Sequence, residues 1–365
     1  MKFKITFIIS FILLVVFSCG DSVPESHNDN YNRGDLLTTW ADEIIIPSFE
    51  IYHNDLEQLV IAKDEFIADQ NNLTLSTLRG AYIDALMSWQ RVSMFEIGKA
   101  EEINLRSYTN IFPTDASQVV RNIESGSYNL VLPSSYAAQG FPALDYILYG
   151  LSNDNGETLD ILSNQNYTTY LSDIVDRLEE LGSAVHTDWK SGYRESFISN
   201  DGSSATASVD KVVNDFLFYY EKFLRAGKIG IPAGIFSGSP IANSVEAPYS
   251  GIYTKELFLE GLSACQDFFN GVSHNGEAIH SLKDYMQNVS NNYGVDDASD
   301  QIVLRWSLAT QKSEALSANL MDQIKTDNLK MLETYDALQE IVLLLKVDMM
   351  KTLNIQVDYI DADGD

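Results

Sequence analysis

Residues 171–189 read Leu-Ser-Asp-Ile-Val-Asp-Arg-Leu-Glu-Glu-Leu-Gly-Ser-Ala-Val-His-Thr-Asp-Trp. Apolar side chains recur at Leu171, Ile174, Val175, Leu178, Leu181, Val185 and Trp189. Steps of three and four residues place them on one face of a helix about five turns long. Met331, Tyr335, Leu338, Val342, Leu345, Met349 and Leu353 form a second seam of this kind. Further helical stretches are expected at about 36–68, 74–97, 135–149, 205–227, 251–270, 277–290 and 297–325, with Pro47 kinking the first. Period-two alternation is scarce. Asn129-Leu130-Val131-Leu132, between Gly126 and Pro133, reads as loop. The expected fold class is all-α: two up-down helical bundles of the four-helix-bundle type, packed side by side.

A chain of 365 residues fits two domains at roughly 150 residues each. The flexible run Ser199-Asn-Asp-Gly-Ser-Ser-Ala-Thr206 suggests the boundary. The organisation read from the sequence is a signal at 1–18, a tether at 19–34, one bundle at 35–200, a second at 205–355 and an acidic tail at 356–365. Long loops are expected at 98–115, 150–165 and 228–250, and loops of this length are more often functional than idle. A net charge of −28 repels phosphate backbones and argues against a nucleic-acid partner.

The first residues, MKFKITFIISFILLVVFSC, place two lysines before an apolar run from Ile5 to Phe17. This is the layout of a secretory signal, too short to span a bilayer comfortably. A small residue, Ser18, precedes Cys19, and the pattern resembles the lipobox of bacterial lipoproteins. The resemblance implies that Cys19 is acylated and anchors the chain to a membrane in the cell envelope, on the periplasmic face or the cell surface. The other cysteine, Cys265, lies in an apolar helical pattern and reads as a buried thiol.

Gly140-Phe141-Pro142-Ala143-Leu144-Asp145-Tyr146-Ile147-Leu148-Tyr149-Gly150 is similar to the Gly-x-His-x-x-Glu signature of the imelysin-like family. Trp89-Gln90-Arg91 with Glu96 resembles that family's second helix. Lys228 to Pro232, continued by Val245-Glu246-Ala247-Pro248-Tyr249-Ser250-Gly251, resembles a loop of its lipoprotein branch in Bacteroidetes-type bacteria. The resemblance implies two helical bundles with a cleft at their junction, a cell-envelope role linked to iron acquisition, and a metallopeptidase label. The sequence departs from the signature where chemistry would need it most. Pro142 stands at the histidine and Asp145 at the glutamate. Zinc or iron wants an imidazole or thiolate beside carboxylates, and proline ligates nothing. Asp145 reads either as a first-turn carboxylate of a helix starting near Pro142 or as a ligand contact.

The expected ligand cleft combines Arg91, Glu96, Asp145, Lys228 and Glu246 with Pro142 and the aromatic walls Trp89, Phe141, Tyr146 and Tyr249. Internal ion pairs and a packed core are the alternative reading of the same residues. No catalytic residue is assigned, and the only cofactor expectation is iron or another divalent metal, with Asp145 as its candidate ligand. The expected partners are an iron or haem ligand, or an outer-membrane uptake protein. His274-Asn-Gly-Glu277-Ala-Ile-His280 carries metal-ligating residue types, but Asn275-Gly276 is a turn signal. His53 and His186 read as isolated helix histidines. Asp358-Tyr-Ile-Asp361-Ala-Asp363-Gly-Asp365 lacks the distant glutamate of a calcium loop and reads as a frayed acidic end. The reading favoured is a non-catalytic binding lipoprotein. A metal-dependent peptidase and a structural or glycan-binding surface protein are the alternatives.

Overall fold

The computed structural model describes residues 31–294 and 298–359. Cys19, the signal and the tail residues Asp361, Asp363 and Asp365 lie outside the described residues. Helix accounts for 74% of the structure, and no strand forms among the described residues. An isolated bridge joins Val272 to Ala278.

The helices among the described residues include α1 (Arg33–Trp40), α2 (Ile46–Ala68), α3 (Asn72–Val92), α4 (Gly140–Tyr149), α5 (Gln165–Asp188), α6 (Ser208–Phe218), α7 (Thr254–Asn270), α8 (Leu282–Tyr293), α9 (Ser299–Glu314) and α10 (Leu320–Leu343), with shorter helices in the connections. Both seams read from the sequence are buried along their full length, from Leu171 to Trp189 and from Met331 to Leu353. In the first half, α2 packs on α3 and α5, and α4 closes against α5. Gly182 lies where α5 passes α2, and a Cβ there would collide with Leu56. In the second half, α10 packs on α9 and on the wide-turned segment Tyr219–Gly230 that continues α6. The halves meet where α7 packs on α3. The apolar cluster is continuous through both halves. Phe268 of α7 contacts Trp40, Phe95 and Phe216 at ring-centroid distances of 4.9, 5.5 and 5.2 Å.

Several expected boundaries move, each for a local reason. The stretch 297–325 is not one helix. Asn319 turns its side chain onto the Met321 and Asp322 amides, caps α10 and leaves 315–319 as a turn. The helix expected from 277 begins at Leu282, because Ser281 and Asp284 form a reciprocal cap. The stretch 135–149 divides into a 3₁₀ segment, Pro133–Ala138, and α4. Residues 31–34, which the sequence reading assigned to the tether, are held against the fold: Tyr31 stacks on Tyr285 at 4.4 Å, and Arg33 donates to the Tyr285 hydroxyl at 2.8 Å. The start of the acidic tail is pinned rather than frayed, since Asn214 donates to the Gln356 carbonyl at 3.0 Å and accepts from the Asp358 amide at 3.1 Å.

Pro47 stands in the first turn of α2. A five-residue π segment, Ala41–Ile45, precedes it. Pro47 has no N–H for the Glu43 carbonyl four residues back. The backbone N–H of His274 reaches across and donates to that carbonyl at 3.2 Å.

Candidate functional site

Gly140 opens α4 with φ at +68°, and a Cβ there would run into the Thr109 carbonyl oxygen. The signature glycine is therefore required by close backbone approach and a left-handed dihedral. Pro142 follows within the first turn. Asp145 lies one turn further on than the sequence placed it, and it does not cap its own helix. It is fully buried. It accepts the Tyr249 backbone N–H at 2.8 Å and the Ser250 backbone N–H at 3.0 Å, one on each carboxylate oxygen. The loop bearing Tyr249 is thus fastened to α4 through Asp145.

Burial raises the Asp145 carboxyl from 3.8 to about 6, against the pull of the N–H donors from Tyr249 and Ser250. A raised carboxyl contributes its stability in full below its unfolded value and loses it as pH rises through about 6. The difference is worth roughly 3 kcal/mol at 1.36 kcal/mol per pH unit. Relative to Asp145→Asn, the wild type is expected to lose about that much stability between pH 4 and pH 7.5, measured by thermal unfolding at several pH values. A constant difference across the range would show that Asp145 does not titrate in the fold.

The Lys228 ammonium and the Glu246 carboxylate pair with each other, and both are buried. Lys228 also donates to Gln90 Oε1 at 2.6 Å. Glu246 Oε1 accepts from Gln90 Nε2 at 3.0 Å and from Asn110 Nδ2 at 2.6 Å. Burial pulls the Lys228 amine below its ordinary value, while Glu246 pulls it back up. Each charge is compensated inside the cluster, as burial requires. Arg91 forms ion pairs with Glu260 and, at 3.0 Å, with Asp267. Glu96 pairs with Arg106 at 3.1 Å, and Arg106 holds both oxygens of Asp215 at 3.0 and 2.9 Å.

The ten expected cleft residues therefore do not form one open site. Trp89 and Phe141 are core, both packed against Tyr52. Pro142, Asp145, Lys228 and Glu246 are closed off from solvent. Tyr146 and Tyr249 meet edge to face at 5.2 Å at the surface. Arg91 lines an open groove of about 300 Å³ between the halves, with Ile44, Ser48, Met94, Asp267 and His274. Glu96 lines a second groove, of about 240 Å³, with Arg106, Lys211 and Asp215. His274, Glu277 and His280 are exposed and lie off any helix. Among the described residues, no group of three or more His, Cys, Asp or Glu side chains is gathered closely enough to hold a metal ion. At the signature position, the one remaining carboxylate already has both oxygens engaged, so these residues do not fit a metal.

Sequence reading missed Gln90 as a buried partner, and missed Asn110, Arg106, Asp215 and Asp267. One signal was available. Glu221, Arg225 and Lys228 recur at helical spacing within an apolar pattern, and all three are buried. Charges on a face that should be core mark an internal polar network.

The profile of the imelysin family (peptidase M75) matches residues 45–345. Two crystal structures share the fold. An imelysin-like protein from Psychrobacter arcticum 273-4 is 17% identical with a TM-score of 0.66, and the match covers 90% of this chain and 97% of that one. A protein named as an iron-regulated protein A precursor, from Parabacteroides distasonis ATCC 8503, is 16% identical with a TM-score of 0.69, at the same coverage. No curated protein matches the chain in sequence.

Proposed function

The chain belongs to the imelysin family, and on that premise we propose that it is a non-catalytic binding component of the cell envelope. Its role is linked to iron or haem uptake, and its ligand is held in the groove between the two halves. Cys19 anchors it to the membrane as a lipoprotein, and an outer-membrane uptake protein is the partner this role implies.

One observation carries the reading. Where the family signature has a histidine and a glutamate, this chain has Pro142 and an Asp145 whose two oxygens accept backbone N–H groups. A hydrolytic metal needs several ligands and an open coordination position, and this arrangement supplies neither. Those residues serve as a fastening for the 245–251 loop. Of the concave features between the halves, the groove lined by Arg91, Asp267 and His274 has apolar walls that carry a few polar groups in the manner of ligand sites. The name of the Parabacteroides distasonis protein supports the iron link.

The test titrates ferric citrate and haemin, separately, into the full chain. One-to-one saturable uptake of either probe is expected, weakened about tenfold, or ~1.4 kcal/mol, by Arg91→Glu. Uptake of neither probe would overturn the reading, as would peptide hydrolysis that zinc stimulates and a chelator stops.

A further inference from the structure

We propose that His53 and His186 form a binding site for a divalent transition-metal ion of the zinc, nickel or copper class. The site lies between α2 and α5, on a different pair of helices from the junction groove. The sequence presents these histidines as isolated, 133 positions apart. The fold sets their rings face to face, with centroids 4.7 Å apart and planes tilted by 31°.

His53 Nδ1 and His186 Nε2 are buried and have no hydrogen-bond partner. A dry, unpaired polar nitrogen is costly, and a shared cation is the ligand that satisfies two imidazoles at once. Glu57 lies one turn beyond His53, with Oε1 3.6 Å from His53 Nε2. It favours the tautomer protonated at Nε2, which leaves Nδ1 with the lone pair. Burial, and then His53 and Lys190, pull the His186 imidazole below its ordinary value, against Glu50 and Glu57. Neutral imidazole is the form that ligates. Glu50 is held 3.7 Å from Lys190, and both Glu50 and Glu57 are about half exposed. The two imidazoles are the protein ligands of the site, and the imidazole χ2 torsion is soft enough for the rings to turn their nitrogens toward one ion. Two imidazoles fall one short of a preformed site, so the expected affinity is micromolar.

The test is calorimetric titration of Zn²⁺ and Ni²⁺ into metal-free full-length protein at pH 7.5. One ion is expected to bind, with affinity lowered at least tenfold by His53→Gln and by His186→Gln and left unchanged by His280→Gln. Electron paramagnetic resonance of the wild type with one equivalent of Cu²⁺ is expected to show two imidazole nitrogens, a readout that stands even where a variant fails to fold. No saturable binding, undiminished binding in both folded variants, or a copper signal with fewer than two nitrogens would overturn the proposal.

Discussion

Phe268→Ala is expected to lower the unfolding free energy by about 3–5 kcal/mol, the usual cost of emptying an aromatic core site. The ring is fully buried and touches Trp40 of α1, Phe95 beyond α3 and Phe216 of α6. Its loss therefore removes packing from both halves at once. Urea unfolding followed by helical circular dichroism and by tryptophan fluorescence should show one coincident transition in the wild type. Both signals should shift together in the variant. A fluorescence transition that separates from the helical one would show that the halves unfold as independent units and that Phe268 does not join them.

Glu246→Ala is expected to cost a similar amount, about 3–5 kcal/mol, because it leaves Lys228 as an uncompensated buried charge. The Gln90 and Asn110 amides would lose their acceptor at the same time. Removing both charges, as Lys228→Met with Glu246→Leu, should be milder than the single change, since buried pairs are often replaced by apolar side chains at little loss. Chemical denaturation of the wild type, the single variant and the double variant decides the matter. A single variant within about 1 kcal/mol of the wild type would contradict the account, a change typical of a surface site. So would a double variant that is no more stable than the single one.

The helices were legible because burial imposes a period. The seam from Met331 to Leu353 even announces where its geometry changes. Its apolar steps alternate between four and three until Leu345, then run four and four to Met349 and Leu353. The π segment Leu344–Met349 lies there, and its hydrogen bonds close over five residues, so the wider turn lengthens the apolar step. Breaks made by side-chain caps were harder to see. Asn319 and Ser281 end apolar patterns that otherwise read as continuous, and a cap is a local bond that leaves the period on either side intact.

The candidate site was less legible. The sequence reading brought Asp145, Lys228 and Glu246 to a ligand cleft by family resemblance, whereas the structure buries all three. It did not reveal that their partners are Tyr249 and Ser250 backbone amides, Gln90 and Asn110. Those partners come from segments up to 156 residues apart along the chain, and no local pattern encodes such meetings. The pairing of His53 with His186 was hidden for the same reason.

The Glu43 carbonyl gives the junction groove an unusual fastening. His274 lines the groove from one side, and Ile44 and Ser48, on either side of Pro47, line it from the other. Their backbones are tied by the hydrogen bond from the His274 amide to Glu43, whose carbonyl meets no N–H on Pro47, four residues on. The groove thus has a latch whose keeper is a missing hydrogen. Restoring it with Pro47→Ala would offer Glu43 a partner within its own helix, and the turn bearing His274 would have to compete for its anchorage. A ligand that wedges the walls apart would break the same bond, so the exchange rate of one amide proton gauges whether the groove is shut or spread.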